Sequence, residues 1–234
     1  MTTSSDAAEA SPRGSDRLAR SLTCVSYAAS AVLFLAGLHA LYEAEGPGRP
    51  EVQVVLSDRA GQSLFAQLAL FLGLASITAA IASVGLYQQL HPRSRHWPLL
   101  GLLCTWMAAA LLVGVMSVQY GVMSVGQEGI PASEISFHAL TVFAHGVADL
   151  GGWLALGLLG FATLINSLLL WNTARGKIPA LAGFAICVLL VFLYNVGASF
   201  FFMLPFAAWE MVMCVHLMTG PREERGLAPS HHTG

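Results

Sequence analysis

The chain has 234 residues, of which 56% are hydrophobic and only 10% are charged, and its formal net charge at pH 7 is −2. Soluble domains carry about 25% charged residues, so this composition provides too little polar surface for a water-exposed globule. The small net charge gives no general attraction to polyanions, and no nucleic-acid partner is expected. Long uncharged segments and a mean hydropathy of +0.66 instead indicate an integral membrane protein surrounded by the lipid bilayer.

Residues 1–20 are rich in Ser, Ala, Asp and Arg without apolar periodicity, which predicts a disordered tail. Six apolar stretches follow within 21–220, and most approach the ~20 residues that cross a hydrocarbon core. Because no alternating strand pattern is present, we predict an all-α bundle of six transmembrane helices. A second disordered tail is predicted at 221–234. The six stretches are 22–42, 64–87, 98–120, 147–171, 180–197 and 203–220.

Two segments, 136–148 and 180–220, do not correspond simply to one helix each. The apolar sequence from 180 to 220 is nearly unbroken, and one helix of that length would run ~60 Å, twice the thickness of a hydrocarbon core. Gly197 and Pro205 supply a break, so two helices joined by a tight outer turn are predicted. The segment 136–148 has two open interpretations, an early start of the fourth helix or an amphipathic segment along the outer interface.

The positive charges are distributed unevenly between alternate loops. On this assignment nine of the 11 Lys and Arg residues fall on one side of the membrane, and two fall on the other. Since basic loops are retained inside the cell, both termini are predicted to be cytoplasmic in a cell-membrane protein. The inner set is Arg13, Arg17, Arg20, Arg93, Arg95, Arg175, Lys177, Arg222 and Arg225, and the outer set is Arg49 and Arg59.

Small residues mark one helix face, and cysteines are scattered through the helices. Ala75, Ala79 and Ser83 form a small-xxx-small row on the second helix, which favours close helix packing. The four cysteines lie inside apolar stretches without metal-ligand spacing, so we expect four separate small apolar side chains. They are Cys24, Cys104, Cys187 and Cys214.

Two carboxylates fall within the apolar stretches, where an ionisable group suggests a functional role. Asp149 lies at the outer end of the fourth helix, within reach of interfacial water. Glu210 lies ~10 Å below the predicted outer boundary of the sixth helix, and His39 and Asn195 are its expected partners. A structural role predicts a protonated or hydrogen-bonded Glu210, whereas a functional role predicts proton or ligand chemistry.

Histidines near the predicted outer side raise the question of a metal or haem site. If the segment is helical, His145 and Asp149 are one turn apart, a spacing that suits metal binding or proton transfer. This spacing is common by chance and further ligands are missing, so structural or interfacial histidines are expected and no metal is predicted. Haem is not predicted because His216 lacks a partner histidine at its level. No cofactor is therefore expected.

Polar residues in the outer half of five predicted helices suggest a pocket open to the outside. Proximity to the outer interface, where polar residues cost little, explains the same pattern, so both interpretations remain open. No nucleotide-binding glycine loop, H-E-x-x-H, G-x-S-x-G or C-x-x-C motif is present, and no catalytic residue is assigned. The candidate pocket comprises Glu210, Asp149, His145, His39 and Asn195, with Gln119 at a similar level.

The order of three segments carries a family resemblance. They are LGLASITAAIASVGLYQQLHPRSRHWPLLGLLCTWMAAALLVGV, then DLGGWLALGLLGFATLINSLLLWNTARGKIPALAG, then a last helix with Pro205 and Glu210. Together they resemble an uncharacterised bacterial family of six-pass membrane proteins known only by a domain-of-unknown-function label. The last helix of that family ends with a Lys-Gly step, from which Thr219-Gly220 departs. The resemblance implies six passes and no particular substrate, cofactor or reaction.

Three functions fit these features, and whether the chain is an enzyme is left open. The sequence favours an unassigned structural, regulatory or assembly role, with Asp149 and Glu210 against helix neighbours and no cavity. A binder or carrier of a hydrophobic small molecule, which could be a homo-oligomer, predicts an outward-facing polar pocket or a path to the midplane. A membrane-embedded enzyme acting on a lipid or isoprenoid predicts a blind pocket with two convergent acids or bases.

Overall fold

The computed structural model describes seven parts of the chain, in which all regular structure is α-helical and no strand occurs. The described parts are residues 12–45, 59–92, 94, 96–127, 135–173, 175–195 and 203–219. The helices are α1 (Pro12–Glu45), α2 (Arg59–Leu90), α3 (Trp97–Gln127), α4 (Ile135–Trp171), α5 (Lys177–Asn195) and α6 (Met203–Thr219). The predicted all-α fold is confirmed.

Four of these helices are long and apolar enough to cross a membrane. Their candidate spans are Leu18–Ala40, Ser63–Leu90, Trp97–Val122 and Val142–Trp171. Helices α5 and α6 are also apolar, but their 19 and 17 residues give lengths of only ~28 and ~25 Å. The structure thus separates four full-length candidate spans from a shorter pair of helices at the end of the chain.

The helix boundaries answer three questions that the sequence raised. Helix α1 begins at Pro12, a residue suited to a first helical turn, so the predicted disordered tail differs from the structure over residues 12–20. Helix α4 is continuous from Ile135, which shows that the segment 136–148 is an early part of this helix. The long apolar stretch is divided between α5 and α6, as predicted, and the intervening turn lies outside the described residues. The predicted C-terminal tail lies outside them as well.

Each helix packs against the next one along the chain, and α6 packs back against α1. The principal helix contacts therefore form a closed ring. A disulfide between Cys24 of α1 and Cys214 of α6 links the two helices that close it, with their Cα atoms 4.7 Å apart. The expectation of four separate cysteines is wrong for this pair, whereas Cys104 and Cys187 are free.

Two apolar cores occupy different levels of the ring. The first core contains Phe34, Leu72 and Met203, which belong to α1, α2 and α6 respectively. The second core contains residues of the same three helices at the other level, among them Tyr27, Leu86 and Met213. Ser30 of α1 and Ser76 of α2 lie between residues of the two cores, and Glu210 of α6 follows Trp209, the first residue of the second core on that helix; all three are buried. These residues form a polar layer where the two cores meet.

Small residues allow the helices to approach closely around this layer. A Cβ atom added to Gly85 of α2 would collide with the Thr23 side chain of α1. One of the predicted small residues, Ala75, is fully buried, and its carbonyl oxygen accepts a hydrogen bond from Ser30 of α1 at 3.0 Å. The small-residue row of α2 therefore lies on an inward face, where it lets α1 reach the α2 backbone.

Candidate functional site

A cavity lies within the polar layer, and side chains from α1, α2, α3, α4 and α6 form its wall. The space in which the centre of a water molecule can lie is about 30 Å³. A single water needs about 10–15 Å³ by this measure, so the cavity has room for two or three small groups. The polar and amphipathic lining residues are Tyr27, Ser76, Ser83, Thr105, Thr163, Asn166, Trp209 and Glu210.

The Glu210 side chain forms a hydrogen bond with a residue of α1. Its side chain is 4% exposed, and its Oε1 atom lies 2.9 Å from the hydroxyl oxygen of Ser30. The same hydroxyl lies 3.0 Å from the carbonyl oxygen of Ala75 on α2. Ser30 therefore connects α6 to α2 through a single buried hydroxyl group. Ser30 and Glu210 are 180 residues apart in the sequence.

The second carboxyl oxygen of Glu210 lacks a protein partner. Oε2 is buried and accepts no hydrogen bond, although Glu210 lines the cavity. Buried polar atoms in proteins are nearly always paired, because an unmade hydrogen bond costs about 1–3 kcal/mol. The Nε1 atom of Trp209 is also unpaired, but it lies beside Gly183 of α5, a helix absent from the cavity wall. Among the described residues, Oε2 is thus a buried, unpaired oxygen of a side chain that lines the cavity.

Hydroxyl groups on the wall direct their protons into their own helices. Ser76 donates to the carbonyl of Leu72 at 2.7 Å, and Thr105 donates to Gly101 at 2.9 Å. Ser83 donates to the carbonyl of its own α2 helix three residues earlier at 2.6 Å. A hydroxyl has one proton and two lone pairs, so these oxygens keep their lone pairs as hydrogen-bond acceptors. This part of the wall can therefore accept hydrogen bonds but has no proton left to donate.

Aromatic rings supply much of the remaining wall. Tyr27 and Trp209 form an edge-to-face pair with ring centroids 6.1 Å apart and an interplanar angle of 83°. Phe34 and Phe206 also line the cavity. Since aromatic faces carry partial negative charge, the wall combines rings, oxygen acceptors and one carboxyl group. Its described lining contains neither Lys nor Arg.

The site lies at the middle of its helices. Ser30 and Ser76 fall near the centres of the candidate spans Leu18–Ala40 and Ser63–Leu90. Glu210 lies near the centre of Met203–Thr219. The polar layer is thus at mid-depth of the bundle, whereas the sequence placed the candidate pocket in its outer half.

Two other residues of the predicted pocket, His39 and Asp149, do not join Glu210 on this wall. His39 is exposed and lies about 14 Å beyond Ser30 along α1, at 1.5 Å per residue. Asp149 is exposed and lies about 21 Å from Thr163 along α4. Gln119 is half-buried on α3 and absent from the lining.

For the remaining two residues of that pocket, the structure gives the backbone alone. His145 lies in α4 and Asn195 ends α5, but both side chains lie outside the described part of the structure. The hydrogen-bond partner that is described for Glu210 is Ser30, rather than the expected His39. Among the predicted pocket residues whose side chains are described, the structure therefore places Glu210 on the cavity wall and His39 and Asp149 away from it.

Sequence reasoning missed most of the polar wall. The wall residues Thr163 and Asn166 are uncharged, as is Ser30, the partner of Glu210, and such residues are common in helices, where they often bond to their own backbone. A usable signal was the spacing of Ala75, Ala79 and Ser83, which places three small residues on one face of α2. That row was assigned to packing alone, although two of its members line the cavity.

Within the described residues, no three His, Cys, Asp or Glu side chains are grouped closely enough to hold a metal ion. The wall has one carboxyl group and one phenol, Glu210 and Tyr27, as its titratable groups. Its chemistry is therefore that of binding and of holding or releasing one proton.

Comparisons with known proteins found no matching family model, no matching curated protein and no matching solved structure. The family resemblance drawn from the three sequence segments accordingly stays a prediction.

Proposed function

We propose that this chain is a membrane-embedded binder or carrier of small solutes and that the cavity beside Glu210 is its binding site. The observation that carries the proposal is Glu210, a side chain that lines the cavity and whose buried Oε2 atom has no described hydrogen-bond partner. An ionisable residue at membrane depth is costly and usually marks a substrate or ion pathway. A carboxyl group with one free oxygen, set among aromatic rings and hydroxyl acceptors, offers an anchor for a small polar solute.

The proposal includes six membrane crossings in the cell membrane with both termini in the cytoplasm. Helices α5 and α6 complete the same ring as the four longer candidate spans, which supports their insertion beside them. The distribution of Lys and Arg supports the orientation. Reporter fusions after Arg95 and Arg175 should report cytoplasm, and fusions near Arg59 and Gln127 should report the outside. A cytoplasmic signal near Gln127 would contradict the six-span topology.

The cavity distinguishes this function from the two alternatives. A purely structural, regulatory or assembly role predicted that Glu210 would face a helix neighbour without a cavity, whereas the described Glu210 lines one. An enzyme predicted two convergent acids or bases. Asp149, the expected second acid, is exposed and far along α4 from the wall. The geometry therefore favours solute binding over both.

Adjacent alanines on α3 provide a matched test of access to the cavity. Ala108 and Ala109 are both buried, but only Ala109 lines the cavity. Each is replaced by Cys in a background in which Cys104 and Cys187 are Ala. The protein in sealed lipid vesicles is then treated with methyl methanethiosulfonate, a small neutral thiol reagent.

Labelling, followed by mass spectrometry of the α3 peptide, should be at least tenfold faster for Ala109→Cys than for Ala108→Cys. A carrier should also show labelling whichever side of the vesicle the reagent is added to. Equal labelling of the two variants, or no labelling of Ala109→Cys, would mean that small solutes do not reach this cavity and would overturn the proposed function.

A further inference from the structure

We propose that Glu210 exchanges its proton for a small ammonium-type cation, an inference that rests on the proposed solute-binding role of the cavity. The carboxyl group carries a proton while no cation is bound. When a protonated primary amine enters, the Glu210 O–H bond breaks, the proton leaves to bulk water, and a carboxylate–ammonium pair forms. One positive charge enters as one leaves, so the charge of the cavity is unchanged.

The hydrogen bonds around Ser30 support a protonated resting state. Ser30 has one hydroxyl proton but lies within hydrogen-bond distance of two oxygens, the Ala75 carbonyl at 3.0 Å and Glu210 Oε1 at 2.9 Å. A proton on Oε1 allows both bonds, because Glu210 then donates to Ser30 while Ser30 donates to Ala75. An ionised Glu210 would instead compete with Ala75 for one proton.

The unpaired oxygen leads to the same conclusion. In a carboxylate the negative charge is shared by both oxygens, and Oε2 has no donor within the described part of the chain. A buried charge without donors costs far more than a buried neutral carbonyl oxygen. The protonated form therefore suits the protein alone, whereas the ionised form needs a donor or a cation next to Oε2.

The wall offers that cation a suitable coordination. Ser76, Ser83 and Thr105 line the cavity, and their hydroxyl groups donate to backbone carbonyls, so their oxygens have only acceptor lone pairs to offer. The aromatic lining adds ring faces, which attract ammonium groups. An ammonium group provides only donors, so the carboxyl group, hydroxyl acceptors and rings of this wall, whose described lining includes neither Lys nor Arg, match a cation better than an anion.

No other charged group on the described wall can balance the cation. Tyr27 of α1 is the second titratable group that lines the cavity, and α2, α3 and α4 contribute Ser, Thr and Asn as their polar residues. Cys214, one turn beyond Glu210 on α6, forms the disulfide with Cys24 and therefore has no thiol proton to release. An added positive charge at this depth would be expensive, so its entry requires the loss of the Glu210 proton.

The size of the cavity determines which cation is suitable for testing the proposal. Space of about 30 Å³ for water centres accommodates two or three small groups, which suits methylammonium. Calorimetric titration of the purified full chain with methylammonium chloride, in two buffers of different ionisation enthalpy, measures the protons released per cation bound. We expect about one proton per cation for the wild type and for the control Asp149→Asn.

Two further measurements make the result decisive. Glu210→Gln should reduce methylammonium binding at least tenfold and abolish proton release. In the wild type, infrared difference spectroscopy should show the loss of one protonated-carboxyl band when methylammonium is added, which tests the exchange even if the variant fails to fold. Binding without proton release, or with the band unchanged, would overturn the exchange. Absence of methylammonium binding would also overturn it, while the labelling of Ala109→Cys would still decide separately whether the cavity admits solutes.

Discussion

Glu210 and Asp149 are the two carboxylates within the apolar stretches, and the structure gives them opposite surroundings. Glu210 faces the centre of the ring, is 4% exposed and lies against Ser30 of another helix. Asp149 lies on an exposed face of α4, away from the polar layer. Their predicted depths suggested a shared pocket, but Asp149 lies about 21 Å along α4 from the wall residue Thr163 and on an exposed face of that helix. Both the level along a helix and the face of the helix therefore decide which groups can meet.

Among the substitutions considered, charge reversal should produce the largest difference in stability between variants at the two carboxylates. Glu210→Lys places an unpaired cation in the middle of the ring, where a buried uncompensated charge costs about 3–5 kcal/mol. The folded fraction after detergent extraction and the unfolding midpoint should both fall sharply. Asp149→Lys is the matched control and should stay within about 0.5 kcal/mol of the wild type, as surface changes usually do. Similar losses for the two variants would show that the contrast between their surroundings is wrong.

Removing the disulfide tests how much it stabilises the contact between α1 and α6, in which Glu210 is buried. Cys24 and Cys214 join these helices one turn from Glu210, and the loop that they close spans 190 residues. A disulfide that closes a long loop typically contributes about 2–4 kcal/mol. Because helices in a bilayer stay formed when they separate, the lower end of that range is expected.

Cys24→Ala combined with Cys214→Ala should lower the free energy of unfolding by about 2 kcal/mol. The double substitution Cys104→Ala and Cys187→Ala, which removes the two free cysteines, should have a smaller effect. Non-reducing and reducing mass spectra of the wild type identify the linkage directly. If no linked peptide is found, or if the two double variants are equally stable, the α1–α6 contact does not depend on the disulfide.

Hydropathy predicted most of the fold because crossing a bilayer requires long apolar helices. It placed the candidate membrane spans of α2 and α3 to within three residues and separated α5 from α6 at the Gly197–Pro205 break. Closure of the ring was not predictable in this way, since the contact of α1 with α6 depends on which faces meet across the whole chain. The Cys24–Cys214 pair shows the same limit, because a separation of 190 residues leaves no local signal.

The site was predicted less completely than the fold. Glu210 was identified because an acidic residue inside an apolar helix is rare and costly. Its partner was expected to be polar and close to the outer side, whereas Ser30 is an ordinary small residue in the middle of α1. A serine in a helix normally bonds to its own backbone, so neither its type nor its spacing reveals a contact with another helix.

A smaller effect should distinguish the inward face of α2 from its open face. A Cβ atom on Gly85 would collide with Thr23, whereas a Cβ atom on Gly73 meets nothing within 4 Å. Gly85→Ala should therefore destabilise the protein by about 1–3 kcal/mol through overpacking of the α1–α2 contact. Gly73→Ala should be neutral or stabilising by about 0.5–1 kcal/mol, because alanine favours the helix. Thermal unfolding in detergent compares them, and a stabilising Gly85→Ala would contradict the close approach of the two helices.

The smallest effect concerns the hydroxyl that joins the three helices. Ser30→Ala removes the hydrogen bond to Ala75 and leaves the Glu210 carboxyl group without its described partner. Hydrogen bonds between membrane helices contribute about 0.6 kcal/mol on average and at most about 1.7, so a loss near 1 kcal/mol is expected. Ser117→Ala is the control, because Ser117 is exposed and donates to the Val113 carbonyl of its own helix, at 2.7 Å.

A double-mutant cycle with Glu210→Gln isolates the pair: if Ser30 and Glu210 act through their mutual hydrogen bond, the second substitution costs less once the first is made. Strict additivity would mean that Ser30 stabilises the bundle through Ala75 alone, and Glu210 would then owe its buried position to the packing of α6 against α1.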